Sequence, residues 1–245
     1  MKDVLREHGL PCARHRLCGG ADEALAFGRE SGYPVVVKPP AGAGAKNTFR
    51  VENEDELKSY LQSMPPRPHD PVLLEEFLAG EEFSFDSVSI GGVHQFHSIT
   101  EYAPTFAPIF EAGPKALDAL GMDTGITLME WFRREDGTIA ISEVAARPPG
   151  AQFTTLLGHA HERDFYQEWV RIVAFDRFAV PERLYATGAA FLRGQGNGRV
   201  RAVHGVEAAQ KELGNMVVEA KLPQIGQPKA SSYEGEGYVI LRDED

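Results

Sequence analysis

Residues 33–45 have the sequence YPVVVKPPAGAGA, and the prediction of the fold starts here. The β-branched run before Lys38 predicts a short buried strand that delivers this lysine into a loop of glycine and alanine. An ammonium group beside exposed backbone N–H groups suits the binding of a polyphosphate. The spacing is not that of a Walker loop, in which Gly-Lys-Ser/Thr opens a helix. The alternative is a glycine turn beside a surface lysine.

A helix is predicted on each side of this strand and loop. Asp22 is expected to cap a helix over 22–29. Asn53, with Glu56 three residues later, resembles a capping box and predicts the second helix. This helix is expected to bury four side chains at helical spacing, those of Leu57, Tyr60, Leu61 and Met64.

Alternating apolar residues and turn residues predict the remaining elements. A strand is expected first, then a hairpin, a helix, a second hairpin, a long helix and three short strands. Their predicted ranges are, in that order, 72–78, 83–90 with 93–100, 115–120, 126–132 with 138–143, 153–175, 186–192, 216–221 and 238–241. The first hairpin, 83–90 with 93–100, is expected to be antiparallel.

Composition excludes several classes of protein. The formal net charge of −11 over 245 residues, without a stripe of lysine and arginine, argues against a nucleic-acid surface. Cys12 and Cys18 are too few for a disulfide framework and favour reduced thiols. No apolar run approaches the ~20 residues that span a bilayer. A cytoplasmic protein without membrane contacts is therefore expected.

The segment Glu75-Glu76-Phe77-Leu78 ends a predicted strand and precedes a tight turn at Gly80 and a further carboxylate, Glu82. Backbone groups at such a strand end can pair with the edge of an adenine, and Glu82 can accept hydrogen bonds from ribose hydroxyls. The turn is the expected hinge of the molecule. The alternative is that these acids are merely solvated.

Glu130 and Glu143 lie on the two strands of the second predicted hairpin. Two adjacent carboxylates are tolerated chiefly when a cation bridges them. Glu143 also lies in an otherwise apolar strand, and a carboxylate is rare in a strand that has only a structural role. Hard oxygen ligands favour Mg²⁺ or Mn²⁺ with nucleotide phosphates completing the shell. Arg147 could hold a carboxylate or phosphoryl group bidentately, or form an ordinary salt bridge.

Two histidine pairs, His94 with His97 and His159 with His161, are interpreted as ordinary histidines. Residues three apart on a strand do not share a face, and neither pair has a cysteine or carboxylate at zinc spacing.

Taken in order, the strand with Lys38, the glycine loop, the hinge, the carboxylates and Arg147 resemble the ATP-grasp superfamily. The resemblance covers nearly the whole chain. The segments 188–192, 204–206 and 235–240 are similar to the C-terminal part of L-amino acid ligases and carnosine synthase. The resemblance to the superfamily implies an α+β fold of two lobes with mainly antiparallel sheets that clamp ATP, and a small β-rich C-terminal subdomain. The implied boundaries are 1–78, 79–180 and 181–245.

The resemblance also implies roles for individual residues. Lys38 contacts the α- and β-phosphates, and Glu82 holds the ribose. The phosphates are covered by the loop residues Gly42, Gly44 and Ala45, and the adenine is bordered by Glu75, Phe77 and Leu78. Glu130 and Glu143 bind Mg²⁺ or Mn²⁺, and Arg147 holds the transferring phosphoryl group. A substrate carboxylate then becomes an acyl phosphate that an amine captures.

The sequence departs from the family pattern in three places. Ala145 stands where members commonly carry an asparagine near the second metal glutamate. Glu111-Ala112-Gly113-Pro114 lacks the histidine of the usual Glu-x-Gly-His, so Glu111 is only a weak candidate for the substrate site. The family has an N-terminal domain and a further ATP lysine near its end, for which Lys2 is a weak stand-in.

A missing N-terminal domain, a partner subunit or a homodimer is therefore expected. The leading function is a carboxylate–amine ligase with small-molecule substrates. The alternatives are a biotin carboxylase-like protein that activates bicarbonate and a nucleotide-binding module without turnover.

Overall fold

A computed structural model of the chain describes residues 1–41, 47–99, 107–231 and 234–244. In these ranges it has seven α-helices: α1 (Lys2–Glu7), α2 (Ala21–Ser31), α3 (Glu54–Ser63), α4 (Ala107–Ala119), α5 (Phe153–His161), α6 (Phe165–Phe175) and α7 (Val206–Leu213). The same ranges have eleven β-strands: β1 (His15–Cys18), β2 (Val35–Lys38), β3 (Phe49–Val51), β4 (Val72–Glu76), β5 (Glu81–Ile90), β6 (Val93–Ile99), β7 (Gly125–Arg133), β8 (Ile139–Ala145), β9 (Tyr185–Leu192), β10 (Val217–Lys221) and β11 (Gly237–Glu244). None of the described helices is long and apolar enough to cross a membrane.

The strands form three sheets, with the orders β1-β4-β2-β3, β6-β5-β7-β8 and β10-β11-β9. The registered pairs of the first and third sheets are antiparallel. The α+β fold with mainly antiparallel sheets is therefore confirmed.

Contacts divide the chain into two compact units. The first unit comprises Met1–Phe85, Ile99–Met122 and Met129–Ala145, and the second comprises Asp86–Ser98, Asp123–Leu128 and Ala146–Asp245. The three predicted segments, 1–78, 79–180 and 181–245, stay a prediction.

The first sheet has one covered face. Val35, Val37 and Leu74 are fully buried in a core that also contains side chains of α2 and α3. Side chains alternate along a strand, so the residues between these three point to the other face. Val36 pairs with Glu75 and Lys38 with Leu73. The register therefore places Glu75 and Lys38 together on the face that α2 and α3 do not cover.

The second sheet contributes to a core in the first unit, between β5, β7 and β8 and the helix α4. Phe83 stacks on Trp131 with ring centroids 4.8 Å apart, and both are almost fully buried. Met129, Trp131, Ile139 and Ile141 alternate along their strands and belong to the same cluster, which also contains Leu5 of α1. The side chains between them therefore point to the opposite face of the sheet.

The second unit contains the third sheet with α5 and α6, and its own aromatic cluster. Phe96 lies against Phe165 and Phe178, with centroids 6.0 and 5.8 Å apart. Val88, Ile126 and Ile172 fill the interior beside them.

Most predicted elements have the expected type. Asn53 caps α3 and accepts a hydrogen bond from the backbone N–H of Glu56 at 3.0 Å, as predicted. Both predicted hairpins are confirmed, although Thr100 at the end of the first lies outside the described residues. The predicted strand 72–78 ends at Glu76, and the predicted helix 115–120 begins earlier, at Ala107.

Three predictions about local structure are wrong. Asp22 lies inside the first turn of α2, whose N-cap is Gly20. Met64 is 47% exposed because it follows the last turn of α3. The single helix over 153–175 is two helices, since Glu162 takes the left-handed conformation and Asp164 accepts hydrogen bonds from the next turn as a new cap. The helix α7 was not among the predicted elements.

Candidate functional site

The candidate site in the first unit is built around a buried carboxylate, Glu75. One oxygen of Glu75 lies 2.9 Å from the ammonium nitrogen of Lys38, and the other accepts a hydrogen bond from Lys2. The Glu75 side chain is 6% exposed and that of Lys38 is 24% exposed. Two lysines, one from the end of β2 and one from α1, thus converge on one acid on the face of the first sheet that α2 and α3 do not cover.

Lys2 is the residue of this cluster for which the sequence predicted only a weak role. Burial lowers the pKa of Lys2, the charge of Glu75 opposes this shift, and the nearby charge of Lys38 adds to it. The cluster holds two cations and one anion, so an added anionic group would find uncompensated positive charge there. The pairing depends on the fold, because 73 residues separate Lys2 from Glu75.

The predicted hinge, from Glu76 to the turn at Gly80, follows directly after Glu75. Glu76 accepts hydrogen bonds from Arg14 at 2.7 Å and Arg134 at 2.9 Å. Burial acts to raise the pKa of Glu76, but the hydrogen bonds from Arg14 and the charge of Arg134 outweigh it, and the net pKa is lowered. The guanidinium of Arg50 lies 4.1 Å from the centre of the Phe77 ring. These contacts fix the backbone at the end of β4.

A cleft of about 350 Å³ lies beside the hinge, between 76–79 and 134–136. Leu78 is buried nearby with Ala13, Phe132 and Ala140. Gly80 allows two backbone segments to approach closely here, because a Cβ on this residue would lie 2.1 Å from the carbonyl oxygen of Arg133. The predicted hinge thus packs on apolar side chains through Leu78 and borders a cleft that charged side chains also line.

Three carboxylates belong to strands of the second sheet. Glu82 and Glu130 alternate with Phe83 and Trp131, whose rings stack on one face, so these two glutamates share the other face. Burial, and then the negative charge of Glu143, raise the pKa of Glu82. Glu130 and Glu143 are partly exposed. The turn that joins their strands is closed by a hydrogen bond from the Arg134 N–H to the Thr138 carbonyl at 2.8 Å.

The remaining predicted site residues lie elsewhere or are not described. Arg147 belongs to the second unit, is exposed, and donates to the carbonyl of Pro148 at 3.0 Å. Glu111 forms an exposed pair with Lys115 at 2.6 Å on α4. Gly42, Gly44 and Ala45 lie outside the described residues. The roles of all of these stay predictions.

The histidine pairs are partly as expected. The prediction that His94 and His97 do not face each other is wrong, because their ring nitrogens lie 3.1 Å apart and their rings stack. His159 contacts Glu219 at 3.4 Å, and His161 contacts the carbonyl of Glu182 at 2.8 Å. Among the described residues, no group of three or more histidine, cysteine or acidic side chains is arranged to hold a metal ion.

Residues 1–106 match the family model described as the phosphoribosylglycinamide synthetase ATP-grasp (A) domain. This match includes Lys2, Lys38, the hinge and Glu82.

Several solved structures are similar to the whole chain. The L-amino acid ligase from Bacillus licheniformis is 20% identical, with a TM-score of 0.77, and the match covers 99% of this chain and 65% of the ligase. The N5-carboxyaminoimidazole ribonucleotide synthetase from Thermotoga maritima is 21% identical, with a TM-score of 0.70 over 100% of this chain and 66% of the synthetase. The biotin carboxylase domain of the Hydrogenobacter thermophilus 2-oxoglutarate carboxylase is 15% identical, with a TM-score of 0.67 over 99% of this chain and 61% of that domain.

At these identities the likeness establishes the fold. The chain spans less than two thirds of the length of each of the three proteins. Residues 1–106 therefore match an ATP-grasp domain, and the chain as a whole has the same fold as these three structures.

Proposed function

We propose that the chain is the ATP-binding core of an ATP-dependent ligase, which activates a carboxylate as an acyl phosphate for capture by an amine. The observation that carries the proposal is the convergence of Lys2 and Lys38 on Glu75. This cluster fits a polyphosphate, because two ammonium groups share one carboxylate and Lys38 remains partly exposed.

The nucleotide would extend from these lysines to the hinge. Lys38 and Lys2 would hold the α- and β-phosphates, with Gly42, Gly44 and Ala45 covering them. Glu75, Phe77 and Leu78 would border the adenine, and the cleft of about 350 Å³ beside the hinge supports this assignment. Glu82 would accept hydrogen bonds from the ribose.

Glu130 and Glu143 would hold Mg²⁺ or Mn²⁺. The influence of Glu143 on Glu82 supports a local excess of negative charge that a divalent cation would neutralise. When bound, the metal ion supplies charge neutralisation of the nucleotide phosphates. Ala145 supplies no side-chain oxygen beside them, so the carboxylates would carry this binding.

Arg147 would steady the transferred phosphoryl group. Its NH1 donates to Pro148, and the guanidinium carries further N–H donors. In the proposed reaction a substrate carboxylate oxygen attacks the γ-phosphorus, and the bond to ADP breaks. The amine then attacks the acyl carbon, phosphate leaves, and the amine loses a proton.

Two other functions remain in competition. Bicarbonate could be the activated acid, since a biotin carboxylase domain has the same fold. A nucleotide-binding module without turnover is the third, on the ground of Ala145 and the shorter chain. Another domain, a partner subunit or a homodimer would complete the substrate site in either enzymatic function.

The release of ADP separates these functions. The chain is incubated with Mg·ATP and either an amino-acid mixture, bicarbonate alone, or bicarbonate with biotin. The ligase proposal expects ADP release that needs the amino acids and forms an amide product. Release that needs bicarbonate instead would favour the carboxylase function. Release no greater than that of Lys38→Ala, under all conditions, would favour the module without turnover.

A further inference from the structure

A second cleft, of about 920 Å³, lies entirely within the second unit. Its walls include the glycine-rich turn 194–198 and the segment that follows it. Four cationic side chains line it, with one carboxylate: Arg193, Arg199, Arg201, Lys229 and Glu236. Such a concentration of positive charge is unusual in a chain with a formal net charge of −11. None of these residues belongs to the candidate ATP site.

The carboxylate of Glu236 holds the walls together. It accepts hydrogen bonds from the backbone N–H groups of Gly194 at 2.6 Å and Ala230 at 2.8 Å, and the residue is 4% exposed. These hydrogen bonds lower the pKa of Glu236 and keep it ionised. Two backbone amides thereby hold the carboxylate in place, and its charge also attracts Lys229.

Two of the cations form hydrogen bonds with backbone carbonyl groups of the cleft or its neighbouring loops. Arg199 donates to the carbonyl of Gly226 at 2.8 Å, and Lys229 donates to the carbonyl of Gly196 at 2.7 Å. Both contacts are with neutral carbonyl groups, which do not neutralise the positive charges, although Glu236 offsets part of the charge of Lys229. They fix the loops and add to the positive potential of the cleft.

The other two cations are not paired in this way. Among the described residues, no carboxylate forms an ion pair with Arg193 or Arg201. The stem of Arg193 packs on Gly235, where an added Cβ would lie 2.8 Å from the Arg193 Cγ. Its side chain is therefore positioned in the wall of the cleft while its guanidinium group remains available.

We propose that this cleft binds a small phosphorylated molecule, with Arg193 and Arg201 holding the phosphate. A guanidinium group presents a planar fork that matches phosphate oxygens, and two of them suit a dianion. Ligand pockets commonly enclose roughly 300 to 1,000 Å³, so the cleft has room for an organic group beyond the phosphate. The site is independent of the proposed ATP-dependent reaction.

Isothermal titration with ribose 5-phosphate, inorganic phosphate, ribose and citrate tests the proposal. Arg193→Ala/Arg201→Ala removes the two phosphate-binding cations. Arg177→Ala/Lys211→Ala removes two exposed cations elsewhere in the second unit and serves as a control of equal charge. Lys38→Ala reports binding of the same probes at the candidate ATP site.

The expected result is binding of ribose 5-phosphate that exceeds that of inorganic phosphate and falls at least tenfold in Arg193→Ala/Arg201→Ala. Lys38→Ala and the control of equal charge should keep the wild-type affinity. No binding of ribose 5-phosphate at millimolar concentration would overturn the proposal, as would unchanged affinity in Arg193→Ala/Arg201→Ala or an equal loss in the control. Tighter binding of citrate would overturn the assignment of phosphate.

Discussion

Glu75 determines where two lysines lie before any nucleotide is bound. A buried carboxylate without partners would be costly, and here Lys2 and Lys38 supply them. Removal of Lys38 leaves Glu75 paired with Lys2, so we expect the fold to survive this change.

The variant Lys38→Ala should therefore lose ATP affinity and keep its structure. A charged hydrogen bond contributes roughly 1.5 to 3 kcal/mol, which corresponds to about tenfold or more in affinity. Calorimetric titration with Mg·ATP measures the loss, and far-ultraviolet circular dichroism checks the fold. Lys58→Ala is the matched control, because Lys58 forms surface ion pairs on α3 in the same unit. Equal affinities of the wild type and Lys38→Ala would remove Lys38 from the site.

The carboxylates permit a test of the metal proposal. If Glu130 and Glu143 hold Mg²⁺, stability should rise most when Mg²⁺ and ATP are present together. Ligand at a hundredfold excess over its dissociation constant stabilises by roughly 2.7 kcal/mol, or a melting shift of about 5 to 11 °C for a chain of this size. Glu143→Gln should lose most of this rise, and Ala145→Asn should keep or strengthen it.

Melting curves with ATP, with Mg²⁺ and with both measure these effects. Glu207→Gln, an exposed change on α7, serves as the control of equal charge. The same gain in the wild type and in Glu143→Gln would show that this glutamate is not a metal ligand.

At the scale of elements, Gly80 connects the end of β4 to the start of β5. Its φ of +145° and its approach to Arg133 both disfavour a side chain. Gly80→Ala should therefore cost more than about 2 kcal/mol of unfolding free energy. Gly92→Ala is the matched control, since Gly92 has a φ of +74° but no atom within 4 Å of the added Cβ.

Urea unfolding of the two variants measures the difference. Similar unfolding free energies for Gly80→Ala and Gly92→Ala would mean that the hinge backbone shifts easily to admit a side chain.

The elements that sequence predicted well have strong local signals. The hairpins were predicted because Gly91-Gly92 and Asp136-Gly137 supply turns between alternating strands. The break between α5 and α6 was missed because Glu162 adopts a left-handed conformation that its residue type does not favour. The short strand β1 lacks a clear periodic signal, and its pairing with β4 is a tertiary effect.

The sequence predicted those residues of the candidate site that belong to a recognisable local pattern. Lys38 ends a β-branched strand, and Glu75 and Glu82 flank a turn, so each was visible as a pattern. Lys2 was not, because its role comes from a contact with Glu75 across 73 residues of sequence. Contacts between strands also could not be predicted from the sequence. An example is the effect of the Glu143 charge on the pKa of Glu82.

At the scale of the whole molecule, the chain covers 65% of the length of the L-amino acid ligase that shares its fold. We expect these 245 residues to bind Mg·ATP but to ligate slowly, because part of the substrate site would come from another domain or subunit. Turnover should lie at least a hundredfold below the roughly 10 per second that is common for enzymes. Steady-state amide formation measures it. Fast turnover by these residues alone would refute the need for a further domain.

The contact between His94 and His97 has a consequence for acid tolerance. Burial, and then the charge of His97, lower the pKa of His94, and burial lowers the pKa of His97. The unfolded chain therefore takes up protons at these histidines before the folded chain does, and acidification favours unfolding. The free energy of unfolding should fall as the pH drops from about 7.5 to 5.5, and His94→Gln/His97→Gln should flatten this dependence. Urea midpoints across that range would measure it, with His69→Gln, an exposed histidine, as control. An equally steep pH profile in His94→Gln/His97→Gln would place the acid sensitivity elsewhere; a flatter one would make mildly alkaline buffers the better choice for storing the protein.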